Sequence, residues 1–220
     1  MDININVLEI QQKINKIKKQ DQQVNLVAAT KYASVEQMIA LYHSGIKKMG
    51  ESRVEVLLQK QKRFNLPVEW HFIGTLQSRK VKGMINEIDA LHSLDRLSLA
   101  KEIEKFRSKP LKCFVQVNTS GEETKKGLRP SEVMSFIHEL KPYAKIEVIG
   151  LMTMAPNTKD TQIIRTCFQT LKSLQQEIQQ KMTWATCENL SMGMSNDYLV
   201  AIEEGATHIR LGSILLKHNE

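Results

Sequence analysis

Eight short apolar or β-branched runs, each followed by a helical pattern, constrain this chain of 220 residues more than any other feature. The runs fall at 24 to 30, 46 to 49, 69 to 73, 88 to 92, 111 to 117, 146 to 151, 188 to 192 and 207 to 211. Helical stretches lie between them at 52 to 62, 78 to 86, 95 to 106, 131 to 140, 160 to 181 and 196 to 204, and Ser34 caps another that begins at Val35. Several open on Ser, Asp or Asn, the residues that satisfy the free amides of a helix start. Ile164, Phe168, Leu171, Leu174 and Ile178 give the clearest apolar stripe. Strand then helix, eight times without a long linker, predicts an α/β fold: one (β/α)8 TIM-barrel-like domain spanning 1 to 220, with a doubly wound open sheet as the alternative. Val7, Ile10, Ile14 and Ile17 add an extra N-terminal helix ahead of the first strand.

The charge pattern narrows the partners. A balance of 31 Lys and Arg against 24 Asp and Glu gives a net charge of +7, which favours anionic ligands. The densest cluster, Lys13 with Lys16, Lys18 and Lys19, has no interleaved aromatics to stack on bases, so it reads as a solvated helix face and not as a nucleic-acid surface. Cys113, Cys167 and Cys187 are odd in number and widely spaced, which suggests neither a disulfide framework nor a zinc site. No signal-peptide pattern opens the chain and no run of about 18 apolar residues could span a bilayer. The expectation is a cytoplasmic, monomeric protein with no membrane partner.

In a barrel of this kind the chemistry sits at the carboxyl ends of the strands. Lys31 ends the first run, and an amine held dry or beside another cation becomes a nucleophile toward aldehydes. Ser191-Met192-Gly193-Met194-Ser195 follows the seventh run and Gly212-Ser213 the eighth, the usual place for a phosphate grip. The same residues also suit tight turns and helix caps. Arg210, two residues before Gly212, either forms a structural ion pair or contacts a ring nitrogen of a ligand. His71 reads as a hydrogen-bonded core residue, and His92 as a residue nearer the mouth that could act as an acid or base. Asn118 either orders the fifth loop or simply ends its strand, and Met152, Met154, Met192 and Met194 read as packing at the barrel top.

With Ala29-Thr30-Lys31, Gly50-Glu51, His71-Phe72-Ile73-Gly74, Val117-Asn118-Thr119-Ser120-Gly121-Glu122, Gly150-Leu151-Met152, the Ser-Met-Gly-Met-Ser segment and Arg210-Leu211-Gly212-Ser213 in view, the chain resembles the pyridoxal 5′-phosphate homeostasis protein family. That family is similar to the barrel domain of alanine racemase. The resemblance implies an internal aldimine at Lys31, phosphate held by Ser191, Gly193, Gly212 and Ser213, and Arg210 near the pyridine nitrogen. Ser52, Asn118 and Met194 complete the expected cofactor-binding set, with no catalytic residue and no metal ligand. Ser52 and Arg79 stand where the family commonly has asparagine, and the tail Ser213-Ile214-Leu215-Leu216-Lys217 departs from its usual Ile-Phe-Gly. An arginine, with a pKa above ~12, is a poor proton donor to the ring, which weakens the cofactor as an electron sink. The implied role is holding or delivering the cofactor to apo-enzymes and regulating its level; the alternative is an amino-acid racemase-like enzyme using Lys31 as base and His92 or a loop residue opposite it.

Overall fold

Residues 3 to 217 are described by a computed structural model. Eight parallel strands close on themselves in chain order. They are β1 (Asn25–Ala29), β2 (Lys48–Glu51), β3 (Glu69–Phe72), β4 (Ala90–Leu94), β5 (Leu111–Gln116), β6 (Ile146–Met152), β7 (Asn189–Ser191) and β8 (His208–Leu211). The seam pairs β1 with β8, Val27 opposite Arg210 and Ala28 opposite Leu211. The expected closed barrel is therefore the observed one, and the open sheet is excluded.

The helices are α1 (Ile3–Ile17), α2 (Val35–His43), α3 (Val54–Gln61), α4 (Leu97–Phe106), α5 (Val133–Leu140), α6 (Thr161–Lys181), α7 (Tyr198–Glu203) and α8 (Ser213–Leu216). Their starts follow the chemistry of their first residues. Ser34 Oγ accepts from the Gln37 amide at 3.2 Å while Gln37 Oε1 accepts from the Ser34 amide at 2.9 Å, a reciprocal cap on α2. Asp160 Oδ1 accepts from the Gln162 amide at 2.9 Å and caps α6. Along α6, Ile164, Phe168, Leu171 and Ile178 are buried as their spacing predicts. Burying each such side chain stabilises the fold by roughly 1.5–3 kcal/mol.

One element differs from expectation. The helix predicted over 78 to 86 is two short 3₁₀ turns, Ser78–Gly83 and Ile85–Glu87. Its buried residues Val81, Met84, Ile85 and Ile88 keep the spacing of an α-helix, but Met84, at φ −145, leaves helical geometry and divides the segment.

The two faces of the strands bury different chemistry. Outward residues such as Met49, Phe72, Leu91, Val115, Leu190 and Ile209 join Leu41, Leu57, Leu99, Ile103 and Phe168 of the helices in one apolar layer. Inside the barrel the filling is partly polar. His71 of β3, His92 of β4 and His208 of β8 have ring centroids 5.1 to 6.3 Å apart, and Phe114 of β5 stacks on His92 at 4.3 Å. Strands β3 and β8 are not neighbours, so these rings meet only across the interior.

Outside, α1 covers α2, α7 and α8. Asn6 Nδ2 donates to the carbonyls of Leu215 at 3.1 Å and Lys217 at 2.9 Å, fastening the end of α8. The lysines at 13, 16 and 19 point to solvent, as a solvated helix face requires.

Candidate functional site

Closure of the seam brings the loop after β1 against the loops after β7 and β8. Between them lies a cavity of about 580 Å³. Lys31, Met194, Arg210, Gly212 and Ser213 of the expected set line it, joined by Ser195. Ala29, Tyr32, Gln37 and Leu216 complete the wall. A larger space of about 820 Å³ opens between α6, α7 and the 19 to 25 segment, but its lining offers polar surface without a convergent set of reactive groups.

Lys31 sits in a turn just beyond β1 and is exposed, so its own chain does not keep the amine dry. Its Nζ lies 4.7 Å from the ring centroid of Tyr32, itself 82% exposed. The ammonium, through a hydrogen bond and its charge, lowers the pKa of the Tyr32 phenol. The loop carrying Lys31 is fastened from below: Thr30 Oγ1 donates to Glu51 Oε1 at 2.6 Å, and Lys60 Nζ donates to the Thr30 carbonyl.

Arg210 is buried in the opposite wall and forms no ion pair among the described residues. Its Nη1 donates to Ser191 Oγ at 2.6 Å and its Nη2 to the Thr153 carbonyl at 2.9 Å. Burial pushes its pKa down to about 10, with Asp197 acting in the other direction. The structural ion pair considered for Arg210 is thus not present among the described residues, and the residue lines the cavity wall.

At one end of the cavity Ser195 Oγ and Ser213 Oγ are 3.4 Å apart. Gly212 lets this corner close, because a Cβ there would stand 3.2 Å from the Ala29 carbonyl oxygen. Two hydroxyls at a strand-to-helix turn can hold an anion, and Met194, Leu216 and Ala29 give it an apolar flank.

Four expected ligands do not line this cavity. Ser191 has no exposed surface, and its hydroxyl is engaged by Arg210 and by His92 at 2.8 Å. Gly193 is buried with φ +95, and an added Cβ would meet the Ala201 Cβ at 2.6 Å, so it serves the turn. Asn118 folds its own loop, accepting from Ser120 Oγ at 3.0 Å and donating to the Glu122 carbonyl at 2.9 Å. Ser52 is half-buried, with its backbone packed against Gly74. His92 is sealed in the interior and does not reach the mouth. Met152 and Met192 pack as expected, whereas Met154 and Met194 are exposed, Met194 at 46%. Tyr32, Gln37 and Leu216 had no sequence signal for this site: Gln37 reads as a cap, and Leu216 as ordinary helix filling.

The alanine racemase N-terminal domain model matches residues 5–220. The pyridoxal phosphate homeostasis protein of Aquifex aeolicus is 39% identical over 194 residues, which cover 86% of this chain and 85% of that protein. The protein of the same name from Pasteurella multocida is 32% identical, over 98% of this chain and 97% of its own. Among solved structures, PipY of Synechococcus elongatus with PLP bound superposes with a TM-score of 0.88 at 26% identity, covering 98% of this chain and 100% of that one. The barrel, the matching model and these relatives show that the chain belongs to the alanine racemase N-terminal domain family and, within it, to the pyridoxal phosphate homeostasis proteins.

Proposed function

We propose that this protein binds pyridoxal 5′-phosphate in the cavity between β1 and β8 and acts in the cofactor's homeostasis, holding or delivering it to apo-enzymes. The observation that carries this reading is the meeting of an exposed primary amine, an unpaired buried guanidinium and two adjacent hydroxyls in one space of about 580 Å³. That donor set fits an aldehyde, a pyridine nitrogen and a phosphate ester, and the volume suits one small cofactor. The PLP found in PipY supports the same reading.

In this reading Lys31 Nζ would hold the aldehyde carbon as a Schiff base, formed with loss of water, Ser195 and Ser213 beside Gly212 would hold the phosphate, and Arg210 would face the ring. Met194 and Leu216 exclude water from its flank. The bound cofactor supplies an electron-withdrawing ring; the chain binds and orients it. A carrier role is favoured over racemization because, among the described residues, the cavity lining contains no histidine or carboxylate opposite Lys31. Tyr32 adjoins the lysine instead of facing it. We take residues 1 to 220 as one cofactor-binding unit, working as a monomer in the cytoplasm. Three buried free thiols fit a reducing compartment, and no described helix is long and apolar enough to cross a membrane.

Purified protein mixed with pyridoxal 5′-phosphate should turn yellow, and borohydride should fix the adduct on Lys31. Persistence of that adduct in Lys31→Ala would remove the central claim. Exchange of the α-proton of any amino acid in heavy water by the loaded protein would favour the enzyme reading instead.

A further inference from the structure

Through the middle of the barrel runs a line of polar side chains that cofactor binding at the mouth does not by itself require. It begins at the cavity wall, where Arg210 Nη1 donates to Ser191 Oγ at 2.6 Å. Ser191 Oγ lies 2.8 Å from His92 Nδ1, and His92 Nε2 lies 2.8 Å from His71 Nδ1. His71 Nε2 faces Glu69 Oε2 at 3.6 Å, too far for a hydrogen bond, and is buried without a hydrogen-bond partner, so the carboxylate acts on it through its charge. Glu69 accepts from Lys48 Nζ at 2.9 Å, and its side chain is 46% exposed at the amino end of the barrel. Ser191, His92, His71 and Arg210 are all buried. The line therefore joins the two ends of the barrel through its interior.

Chemistry gives this line a direction. A guanidinium only donates and a carboxylate only accepts. A bare lone pair on His71 Nε2 would be repelled by the Glu69 carboxylate, so that nitrogen carries the proton and Nδ1 accepts. His92 Nε2 must then be the N–H that meets it, which leaves His92 Nδ1 to accept from the Ser191 hydroxyl. The Ser191 oxygen in turn accepts from Arg210. Each donor points from Arg210 toward Glu69, and each bond polarises the next. A proton added to His71 reverses the sequence: His92 Nε2 must accept, and its Nδ1–H turns onto Ser191 Oγ, which then accepts from both His92 and Arg210 and directs its own proton elsewhere.

The surroundings favour the neutral rings. His71 is faced by Glu69, Lys48, Asp89 and the other two histidines; His92 by Arg210, His71, His208 and Phe114; His208 by Lys48, Glu69, Arg210 and Thr207. Burial lowers the pKa of all three, that of His208 to about 3.

We propose that Ser191, His92 and His71 are positioning residues for Arg210, holding its guanidinium at the cavity wall through a hydrogen-bond line whose polarity the nearby charge of Glu69 sets, which makes Glu69 a positioning residue too. This rests on the cofactor reading in one respect, that Arg210 faces the bound ring. Glu69 lies at the far end of the line and outside the cavity lining, so any effect of changing it on the cofactor must travel through the interior.

The first test needs no cofactor. Nitrogen-15 spectra of the imidazoles at pH 7 should show His71 and His92 both neutral and both protonated at Nε2. Glu69→Gln, at a half-exposed site, should change the His92 signals. A proton on Nδ1 of either ring in the parent, or His92 signals unmoved in Glu69→Gln, overturns the proposal. The second test reads the visible band of protein loaded with pyridoxal 5′-phosphate. Ser191→Ala should weaken binding about tenfold, the loss of one hydrogen bond to a charged group, with Ser191→Thr restoring it. Glu69→Gln should shift the pH midpoint of the band. Cofactor bound equally by all variants with an unshifted midpoint overturns the positioning role, whereas a parent protein that takes up no cofactor defeats the binding reading and leaves the imidazole test standing.

Discussion

Lys60 Nζ stands 2.6 Å from Glu51 Oε1, and the carboxylate that it holds has no exposed surface. The other oxygen, Glu51 Oε2, is buried without a hydrogen-bond partner, so Lys60 is the principal compensation for this charge. The pair underlies Thr30, the residue before Lys31.

Removing the cation should therefore do more than removing both charges. Lys60→Met is expected to cost about 3–5 kcal/mol by stranding a buried carboxylate, while Lys60→Met with Glu51→Gln recovers much of that. Urea denaturation of the two variants and the parent checks the order. A smaller loss in the single variant than in the double one would contradict it.

The anion corner should respond to the phosphate alone. Ser195→Ala and Ser213→Ala each remove a hydroxyl from the cavity and should weaken pyridoxal 5′-phosphate by roughly 10- to 100-fold. Binding of pyridoxal, which has no phosphate, should be unchanged. Absorbance titrations with the two compounds, side by side, separate a phosphate contact from a general loss of the cavity.

Gly193 has a backbone φ of +95 and no room for a methyl group against Ala201. Gly193→Ala should destabilise the fold by about 1–3 kcal/mol, which for a chain of this size lowers Tm by several degrees. Calorimetry measures it. A variant as stable as the parent would mean that the turn relaxes freely.

Acid should unfold the protein through its interior histidines. Their folded pKa values are lowered, so at mildly acidic pH the unfolded chain binds protons that the folded one refuses. Stability is full above the ordinary histidine pKa and falls as pH drops below it, down to about 3 for His208. Glu69 adds to the fall only at lower pH, because His71 first and then Lys48 hold its pKa down to about 2. Urea midpoints measured from pH 8 to pH 4 should decline steadily, and His208→Phe should flatten the slope.

The strands were legible because each carries a short apolar run with turn chemistry behind it, and the longest helix because α6 repeats its apolar residues every three or four positions. The segment at 78 to 86 misleads because Val81, Met84, Ile85 and Ile88 keep helical spacing although the backbone leaves helical geometry at Met84. At the site, Lys31, Arg210, Gly212 and Ser213 lie where strands end, a position the sequence marks. Ser191 also ends a strand, but it points inward from β7 and bonds Arg210 beneath the mouth. His71 reads as a hydrogen-bonded core residue and is one, but its partners are not legible: the members of the interior line come from three strands, and only closure sets their nitrogens and oxygens 2.8 Å apart.

The β1–β8 seam has a consequence for how the molecule is made. Its two strands come from nearly opposite ends of the polypeptide, so a nascent chain leaving the ribosome displays Lys31 long before the opposite wall has been synthesised. Only zipping of the last strand onto the first encloses that space, so the cavity belongs to the closed barrel and to no shorter stretch that lacks β8.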